Sequence, residues 1–303
     1  LDRSGSELLT LETADCSGLL EGWQWPEPVK LLAADGETDI YGHVFRLSHF
    51  SPEISYPVLD FSTTLKESNH YLAGSFTNEA VAGAGYFYPA ALAELGFIVV
   101  DIYGRGTSSR HRAFSADPDS DLPSSNNQAD RIAAIRQLAE KYSYMDLDRV
   151  GVGGSLSTNA PVCGLLGHPE FYKVGVSHGS GIDMRLKSAY FGEAYGDLPN
   201  SSDSRRLISD YAKNLKGNLL IMHGMLSPSI NVANSFGLID ALQRANKDFD
   251  MLILPNDKYP MSSYAIRRGW DYLVKHLLGV EPPIEFKLST SWDLFMEKFY
   301  AGQ

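Results

Sequence analysis

A serine surrounded by small residues stands between an apolar run and a helical pattern, an arrangement that suits a nucleophile. It is Ser155, in the sequence G-G-S-L-S at 153–157. Small neighbours let the backbone turn sharply after a strand, so that the hydroxyl is exposed at the edge of a sheet. The alternative is that Ser155 only caps the helix that follows. The pattern therefore raises the question of which groups would activate the hydroxyl.

A serine hydroxyl is a useful nucleophile only when a base of near-neutral pKa takes its proton and an acidic residue orients that base. In folds with this strand-to-helix turn, the acid and then the base follow the nucleophile along the chain. Here the acid position in H-G-M-L-S holds Ser227, and the base position in P-N-D-K-Y holds Tyr259. A tyrosine, with a reference pKa of about 10, is almost wholly protonated at pH 7. The sequence therefore predicts impaired hydrolytic chemistry.

A substitute pair follows another apolar run. His178 could act as a relocated base from a neighbouring loop, and Asp183 in the same loop could act as its acid. The alternative is that both side chains only bond to loop backbone. Both interpretations stay open at this stage.

Short apolar runs alternate with longer amphipathic stretches, which indicates an α/β fold with a mainly parallel central sheet of about eight strands flanked by helices. The predicted strands are 29–33, 38–47, 56–61, 97–102, 149–153, 173–177, 218–223 and 249–254. The predicted helices are 86–95, 127–142, 156–167, 204–214, 230–246, 261–278 and a tail helix at 290–300. The first two strands form a hairpin that gives the sheet an antiparallel N-terminal edge, and Pro282 and Pro283 end the helix at 261–278.

Composition excludes several classes of function. The net charge of −11 argues against nucleic acid as a partner, and the arginines at 105, 110 and 112 are expected to be solvated loop charges. The two cysteines are too few for a disulfide framework, and Cys163 fits a buried apolar position. No metal-binding or phosphate-binding motif is present, so we expect no cofactor. The sequence also lacks an apolar run long enough to span a membrane.

Nearly the whole chain, in order, resembles the C-terminal catalytic domain of the prolyl oligopeptidase family, in particular its dipeptidyl peptidase IV-like members. The matching stretches are W-P-E-P-V (25–29), A-D-G-E-T-D-I-Y-G (34–42), Y-P-V-L-D (56–60), A-E-L-G-F-I-V-V-D (93–101), G-R-G-T (104–107), D-R-V-G-V (148–152), H-P-E-F-Y-K-V-G-V-S (168–177), L-I-D-A-L-Q-R-A-N-K-D-F-D (238–250) and A-I-R-R-G-W-D-Y-L-V-K-H-L-L-G-V-E-P-P (265–283). The resemblance implies an α/β-hydrolase fold and a serine peptidase that cuts after proline or small residues. It also gives His223 no role in proton transfer.

The same resemblance shows that the site loops depart from the family pattern. The oxyanion-hole tyrosine is replaced by Thr63, and two pocket tyrosines are replaced by Lys187 and Phe191. Counted from the strand side, the turn is one residue shorter than in the family, which would place Leu156 at the nucleophile position. The scaffold therefore matches the family, whereas its reactive positions do not.

The resemblance also predicts how the chain is organised. Residues 1–303 form one hydrolase-like domain, in which 1–28 link it to an upstream β-propeller and 284–303 carry the tail helix. Family members imply homodimers through the last helix and tail, and a periplasmic or extracellular location.

Three functions follow from these observations. The first is a non-hydrolytic protein that binds a peptide, a small molecule or a protein partner. The second is an active serine peptidase that uses Ser155 with His178 as its base. The third is a non-hydrolytic cyclase or isomerase with Tyr259 and Lys187 as polar groups in the pocket.

Overall fold

The computed structural model describes most of the chain. The described residues are 4–10, 13, 17–62, 84–107, 110, 114, 127–154, 159–179, 183, 186, 211–228 and 230–289.

Eight strands form one sheet. They are β1 (Glu27–Leu32), β2 (Asp39–Phe45), β3 (Tyr56–Ser62), β4 (Ile98–Tyr103), β5 (Met145–Gly154), β6 (Val174–His178), β7 (Asn218–Gly224) and β8 (Asp250–Leu254). Their order across the sheet is β1-β2-β4-β3-β5-β6-β7-β8. β1 and β2 are antiparallel to their neighbours, and β3 to β8 are parallel. This confirms the predicted α/β-hydrolase architecture, with its mainly parallel sheet and antiparallel N-terminal edge.

The helices connect and cover the strands. They are α1 (Ala84–Glu94), α2 (Gln128–Lys141), α3 (Ala160–Gly167), α4 (Ala233–Arg244) and α5 (Ser263–Leu273), which continues as a π-helical turn, Val274–Leu278. The helix predicted at 204–214 lies mostly outside the described residues, and the tail helix at 290–300 lies wholly outside them. The predicted end of the last described helix at residue 278 is confirmed, but the residue that caps it is Gly279 and not Pro282 or Pro283. Gly279, with a φ of 72°, ends it first, because glycine adopts the left-handed conformation without a steric penalty.

The two faces of the sheet bury separate apolar cores. The larger core packs residues of α2, α3 and α4, such as Ile135, Leu165 and Leu242, against one face. The smaller core packs α1, α5 and the π-helical turn against the other, where Leu92 and Leu277 are buried. This arrangement leaves the carboxyl edge of the parallel strands, where the chain enters its loops, available for a site.

A buried ion pair joins α2 to β3. Arg131 and Asp60 are both completely buried and paired with each other. Arg131 also donates to the carbonyl oxygens of Phe61 and Ile102, both at 2.8 Å, and Tyr172 donates its hydroxyl to Asp60 at 2.7 Å. Burial alone would lower the pKa of Arg131, but the adjacent Asp60 carboxylate outweighs it and raises that pKa. The cluster therefore fixes the last residues of β3 and β4 to the helix.

Arg105 corrects an expectation from the sequence. It is not a solvated charge, because its guanidinium is half-buried and donates to Asp130 at 2.8 Å and to Asp35 at 3.1 Å. The Asp130 carboxylate also accepts the backbone N–H groups of Ala34 and Arg105. The arginine therefore ties the loop after β4 to the turn between β1 and β2. Arg110 is exposed, as expected, and Arg112 lies outside the described residues.

Candidate active site

The parallel strands bring the predicted site loops to one edge of the sheet. β3, β5, β6, β7 and β8 all run in the same direction, so their carboxyl ends lie at the same edge. Within this edge Ser62 pairs with Gly154, so the described parts of β3 and β5 end side by side. The position after each of these two residues is a predicted site residue.

Four of the predicted site residues cannot be placed. Ser155, Thr63, Lys187 and Phe191 lie outside the described residues. The context predicted for Ser155 is present on both sides, since β5 ends at Gly154 and α3 begins at Ala160. The roles of these four residues therefore remain predictions. The strand before Ser155 and the helix after it are the elements that the sequence predicts.

The acid-position loop and the base-position loop lie against each other. The backbone N–H of Met225 donates to the carbonyl of Leu254, and that of Leu226 donates to the carbonyl of Asp257, both at 3.0 Å. The approach at Gly224 is so close that an added Cβ would lie 2.5 Å from the Asp257 carbonyl oxygen. The fold therefore brings the two loops that hold Ser227 and Tyr259 into contact.

Ser227 and Tyr259 are both half-buried and shape their own loops. The Ser227 hydroxyl accepts the backbone N–H of Ile230 at 3.2 Å, which is a turn-stabilising bond. The backbone carbonyl of Tyr259 accepts the N–H of Met261 at 2.7 Å. Neither side chain supplies a carboxylate or an imidazole, so residues 227 and 259 do not provide the acid and the base predicted for these two loops.

Asp257 is the carboxylate nearest to Tyr259 along the chain, and it has a structural partner. Ser262 donates its hydroxyl to Asp257 at 2.6 Å and also caps α5 by accepting the N–H of Ala265. The carboxylate therefore helps to fix the start of α5, the helix that follows the base-position loop.

His178 lies at this edge, at the last position of β6, where it pairs with Met222. The residue is half-buried, and its Nδ1 is buried without a hydrogen-bond partner among the described residues. Burial lowers the pKa of His178 to about 4, so the ring is neutral at pH 7. In a Ser–His–Asp triad the equivalent nitrogen donates to a carboxylate that orients the ring. His178 therefore lies at the predicted edge, but among the described residues no carboxylate bonds to its Nδ1 to orient it as a base.

The other two groups considered from the sequence have structural contacts. The Nε2 of His223 must donate to the carbonyl oxygen of Ile230 at 3.2 Å, because a carbonyl only accepts. Its Nδ1 then accepts from the Ser235 hydroxyl at 2.8 Å, which fixes a neutral tautomer. This agrees with the structural role predicted for His223. The backbone N–H of Asp183 donates to Asn234 Oδ1 at 2.8 Å, a loop-positioning bond.

Sequence reasoning missed the buried cluster of Asp60, Arg131 and Tyr172. The available signal was a carboxylate inside the apolar strand Y-P-V-L-D-F together with an arginine next to the apolar stripe of α2. A charge in an apolar strand calls for a buried partner of opposite sign. The pairing itself depends on the tertiary structure, because 71 positions separate the two residues.

Within the described part of the chain, no group of three or more His, Cys, Asp or Glu side chains is placed to hold a metal ion. The same part contains no helix that is long and apolar enough to cross a membrane.

Residues 86–277 match the model of the prolyl oligopeptidase family. The chain belongs to this family. The match includes β4 to β8, that is, the turn after β5 and the loops after β7 and β8.

Individual relatives are dipeptidyl peptidases and their inactive counterparts. The chain is 25% identical to human dipeptidyl peptidase 8 over 278 residues, which cover 87% of this chain and 29% of that protein. It is 30% identical to the inactive dipeptidyl peptidase 10 of Rattus norvegicus over 142 residues, covering 44% of this chain and 17% of the relative. The chain therefore spans less than a third of the length of these relatives.

Solved structures show the same fold. The structure of Porphyromonas gingivalis dipeptidyl peptidase 4 matches with a TM-score of 0.66 and 23% sequence identity, over 78% of this chain and 32% of that one. At this identity the likeness supports the fold and not the activity.

Proposed function

We propose that this member of the prolyl oligopeptidase family binds a peptide or a small molecule at the carboxyl edge of its sheet without hydrolysing it. The observation that carries the proposal is the state of His178, the histidine best placed on the described part of this edge to replace the missing base. Its Nδ1 has no carboxylate partner there, and its pKa is lowered by burial to about 4. General-base catalysis is most efficient when the pKa lies near the working pH, so such a ring accepts a proton poorly.

The size of the expected defect follows from the missing groups. In serine proteases, loss of the base lowers kcat on the order of 10⁶-fold, and loss of the acid on the order of 10⁴-fold, although the two losses are not additive. Loss of an oxyanion donor typically costs a further 10²–10³-fold, roughly. With Ser227, Tyr259 and Thr63 at the three positions, a peptidase rate typical of the family is not expected.

Precedent within the family supports the same proposal. One of the relatives is named as an inactive dipeptidyl peptidase, so the family scaffold persists in proteins without peptidase activity. The hydrogen bonds between the β7 and β8 loops support it further, because they hold these two loops together through backbone groups whatever side chains they carry.

Labelling with a fluorophosphonate, followed by intact-mass measurement, tests the proposal. The wild type, Ser155→Ala and the neighbouring control Ser157→Ala are compared beside an active family peptidase that is labelled completely. We expect no labelling of the wild type under those conditions. Labelling that Ser155→Ala abolishes and Ser157→Ala preserves would overturn the proposal.

Binding without turnover needs a second measurement. Short peptides that contain proline are added, the Tm of the protein is followed by differential scanning fluorimetry, and cleavage is followed by mass spectrometry. We expect a rise in Tm that depends on peptide concentration and no cleaved product. Cleavage, or the absence of any Tm change across a representative peptide set, would argue against a peptide-binding role.

An active hydrolase is the second candidate, and one observation favours it. His178 lines a small cavity together with Gly153, two positions before Ser155, so an imidazole is present close to the turn. In that case the labelling of Ser155 would fall at least tenfold in His178→Gln. The non-hydrolytic proposal expects labelling to be absent both before and after this substitution.

A further inference from the structure

An open groove lies at the edge of the sheet opposite the candidate active site, where β3 and β5 begin. Its volume is about 570 Å³, within the range of about 300–1,000 Å³ that is typical of sites for small ligands. One wall is the C-terminal half of α2, and the other is the start of β5 with the residue before β3. The lining includes Ser55, Arg136, Ala139, Glu140, Met145 and Leu147.

The helix wall carries two opposite charges that are exposed and accessible to a ligand. Arg136 and Glu140 are one turn apart, so they lie on the same face of α2. Among the described residues neither side chain forms a hydrogen bond or an ion pair, with the other or with a third group. The guanidinium carbon of Arg136 lies 5.4 Å from the centre of the Phe171 ring, a contact that stabilises the cation and leaves its N–H donors unused.

Glu140 is placed where a carboxylate is unfavourable without a cation. It is the next-to-last residue of α2, and the helix dipole is negative at that end. The neighbouring Lys141 is turned to another partner, because its ammonium pairs with Glu27 at 3.4 Å. A cation that binds from outside the chain would therefore be attracted by both the Glu140 carboxylate and the end of the helix.

The charges on the opposite wall are used within the protein. The Asp146 carboxylate accepts the Nε–H of Arg149 at 2.8 Å, and Arg149 also donates to the carbonyl oxygen of Ser55 at 3.3 Å. These bonds fix the start of β5 to the residue before β3. What this wall offers to a ligand is therefore the apolar surface of Met145 and Leu147 and the hydroxyl of Ser55.

We propose that this groove binds a dipeptide with free ends, its carboxylate at Arg136, its ammonium at Glu140 and an apolar side chain against Met145 and Leu147. Cβ atoms four residues apart on a helix are about 5–6 Å from each other, and two residues of extended chain span about 7 Å. A single amino acid holds its two charges too close together, and a tripeptide, at about 10 Å, holds them too far apart. The helix dipole sets the orientation, because it favours the ammonium at the C-terminal end of α2.

The dipeptide Gly-Leu is the probe, added to protein labelled with ¹³C at its methionine methyl groups and observed by NMR. Met145 reports on the groove, whereas Met225 and Met261 report on the loops after β7 and β8 at the carboxyl edge. We expect a saturable shift at Met145, with a Kd on the order of millimolar for so small a ligand. Shifts confined to Met225 and Met261 would place the dipeptide at the other edge and overturn this inference without contradicting the proposed function.

Charge variants and a capped ligand complete the test. We expect Arg136→Gln and Glu140→Gln each to weaken Gly-Leu binding at least threefold, roughly the effect of losing one exposed ion pair, and to leave the fold intact because glutamine is a good helix former. Arg244→Gln, on the exposed surface of α4, is the control and should leave the Kd unchanged. Equal affinity for N-acetyl-Gly-Leu amide, which has no charged ends, would overturn the proposal, as would an unchanged Kd in both charge variants or a Met145 signal that stays constant up to on the order of 100 mM dipeptide.

Discussion

At the scale of single residues, backbone hydrogen bonds join the two loops that hold Ser227 and Tyr259. Leu226 donates to the carbonyl of Asp257, and a Cβ at Gly224 would collide with the same carbonyl. The hydrogen bonds that join the two loops are made by backbone groups and not by the side chains at 227 and 259. This makes it possible to ask whether restoring the side chains restores the chemistry.

We expect the double variant Ser227→Asp, Tyr259→His to increase fluorophosphonate labelling of Ser155 over the wild type by at least tenfold. An imidazole at 259 would supply a base, and a carboxylate at 227 would orient it, because the loops already lie in contact. Each single variant should gain less, because the two groups act as a unit. The measurement is the labelling rate by intact mass.

The double variant combined with Ser155→Ala is the control and should not be labelled. If the double variant stays at the wild-type rate although it is folded, the defect lies elsewhere at the edge, for example at the oxyanion position held by Thr63.

At the scale of elements, two contacts between elements determine the shape of the edge. The first is the buried pair of Arg131 on α2 and Asp60 on β3, with Tyr172 as a third member. The second is the contact between the β7 and β8 loops at Gly224. Each contact gives a prediction with a matched control.

Arg131→Met is expected to lower the free energy of unfolding by about 3–5 kcal/mol, because it leaves the Asp60 carboxylate buried without its counter-charge. Urea denaturation measures the change. The exposed pair of Arg244 and Asp240 is the control, and Arg244→Met should cost less than about 1 kcal/mol. The double variant Asp60→Leu, Arg131→Met should recover part of the loss. A loss as small as that of the exposed pair would contradict the proposed role of the cluster.

Gly224→Ala is expected to destabilise the protein by about 1–3 kcal/mol, because the new methyl group would meet backbone atoms of Asp257 and Lys258 at 3.0 Å or less. Gly237→Ala, in the middle of α4, is the control. A Cβ there meets no atom within 4 Å, so it should stabilise the protein by about 0.5–1 kcal/mol through helix propensity. The two free energies of unfolding should therefore change in opposite directions, and a change in the same direction would refute the steric argument.

At the scale of the whole molecule, two half-buried histidines make stability depend on pH. Burial lowers the pKa of both His43 and His178 to about 4. A histidine in the unfolded chain has a pKa of about 6.5, so between these values the unfolded state binds more protons. The stability that comes from these neutral rings is therefore fully present above about pH 6.5 and is lost as the pH falls towards 4.

We expect the free energy of unfolding to fall by up to about 2 kcal/mol for each of these histidines between pH 7.5 and pH 5. His43→Leu should remove one of these contributions and flatten the pH dependence, as measured by urea denaturation at both pH values. The exposed His49, replaced by Gln, is the control, because its ring is in water in both states. An unchanged pH dependence in His43→Leu would show that its burial does not control the titration.

The chain spans only 29% of human dipeptidyl peptidase 8, so its organisation within a larger protein stays a prediction. An upstream β-propeller and a homodimer both follow from resemblance alone. Size-exclusion chromatography with light scattering would measure the oligomeric state directly.

The sequence by itself determined the elements and their directions. Short apolar runs placed all eight strands within a few residues, and longer amphipathic stretches placed the five described helices, because apolar residues mark the parts of each element that are buried. The sequence also showed that position 227 holds no acidic residue and position 259 no histidine, since the type of side chain is a property of the sequence alone.

Only the tertiary structure decided the environment of each side chain. Arg105 was expected to be a solvated charge, but it lies between Asp130 and Asp35, which come from distant parts of the chain. His178 was expected at the site edge as a base or as a loop residue. In the folded chain its ring lies beside Gly269, its Nδ1 is buried with no hydrogen-bond partner among the described residues, and burial keeps the ring neutral. The pKa of a group depends on desolvation and on neighbouring charges, and both are set by residues that meet only when the chain folds.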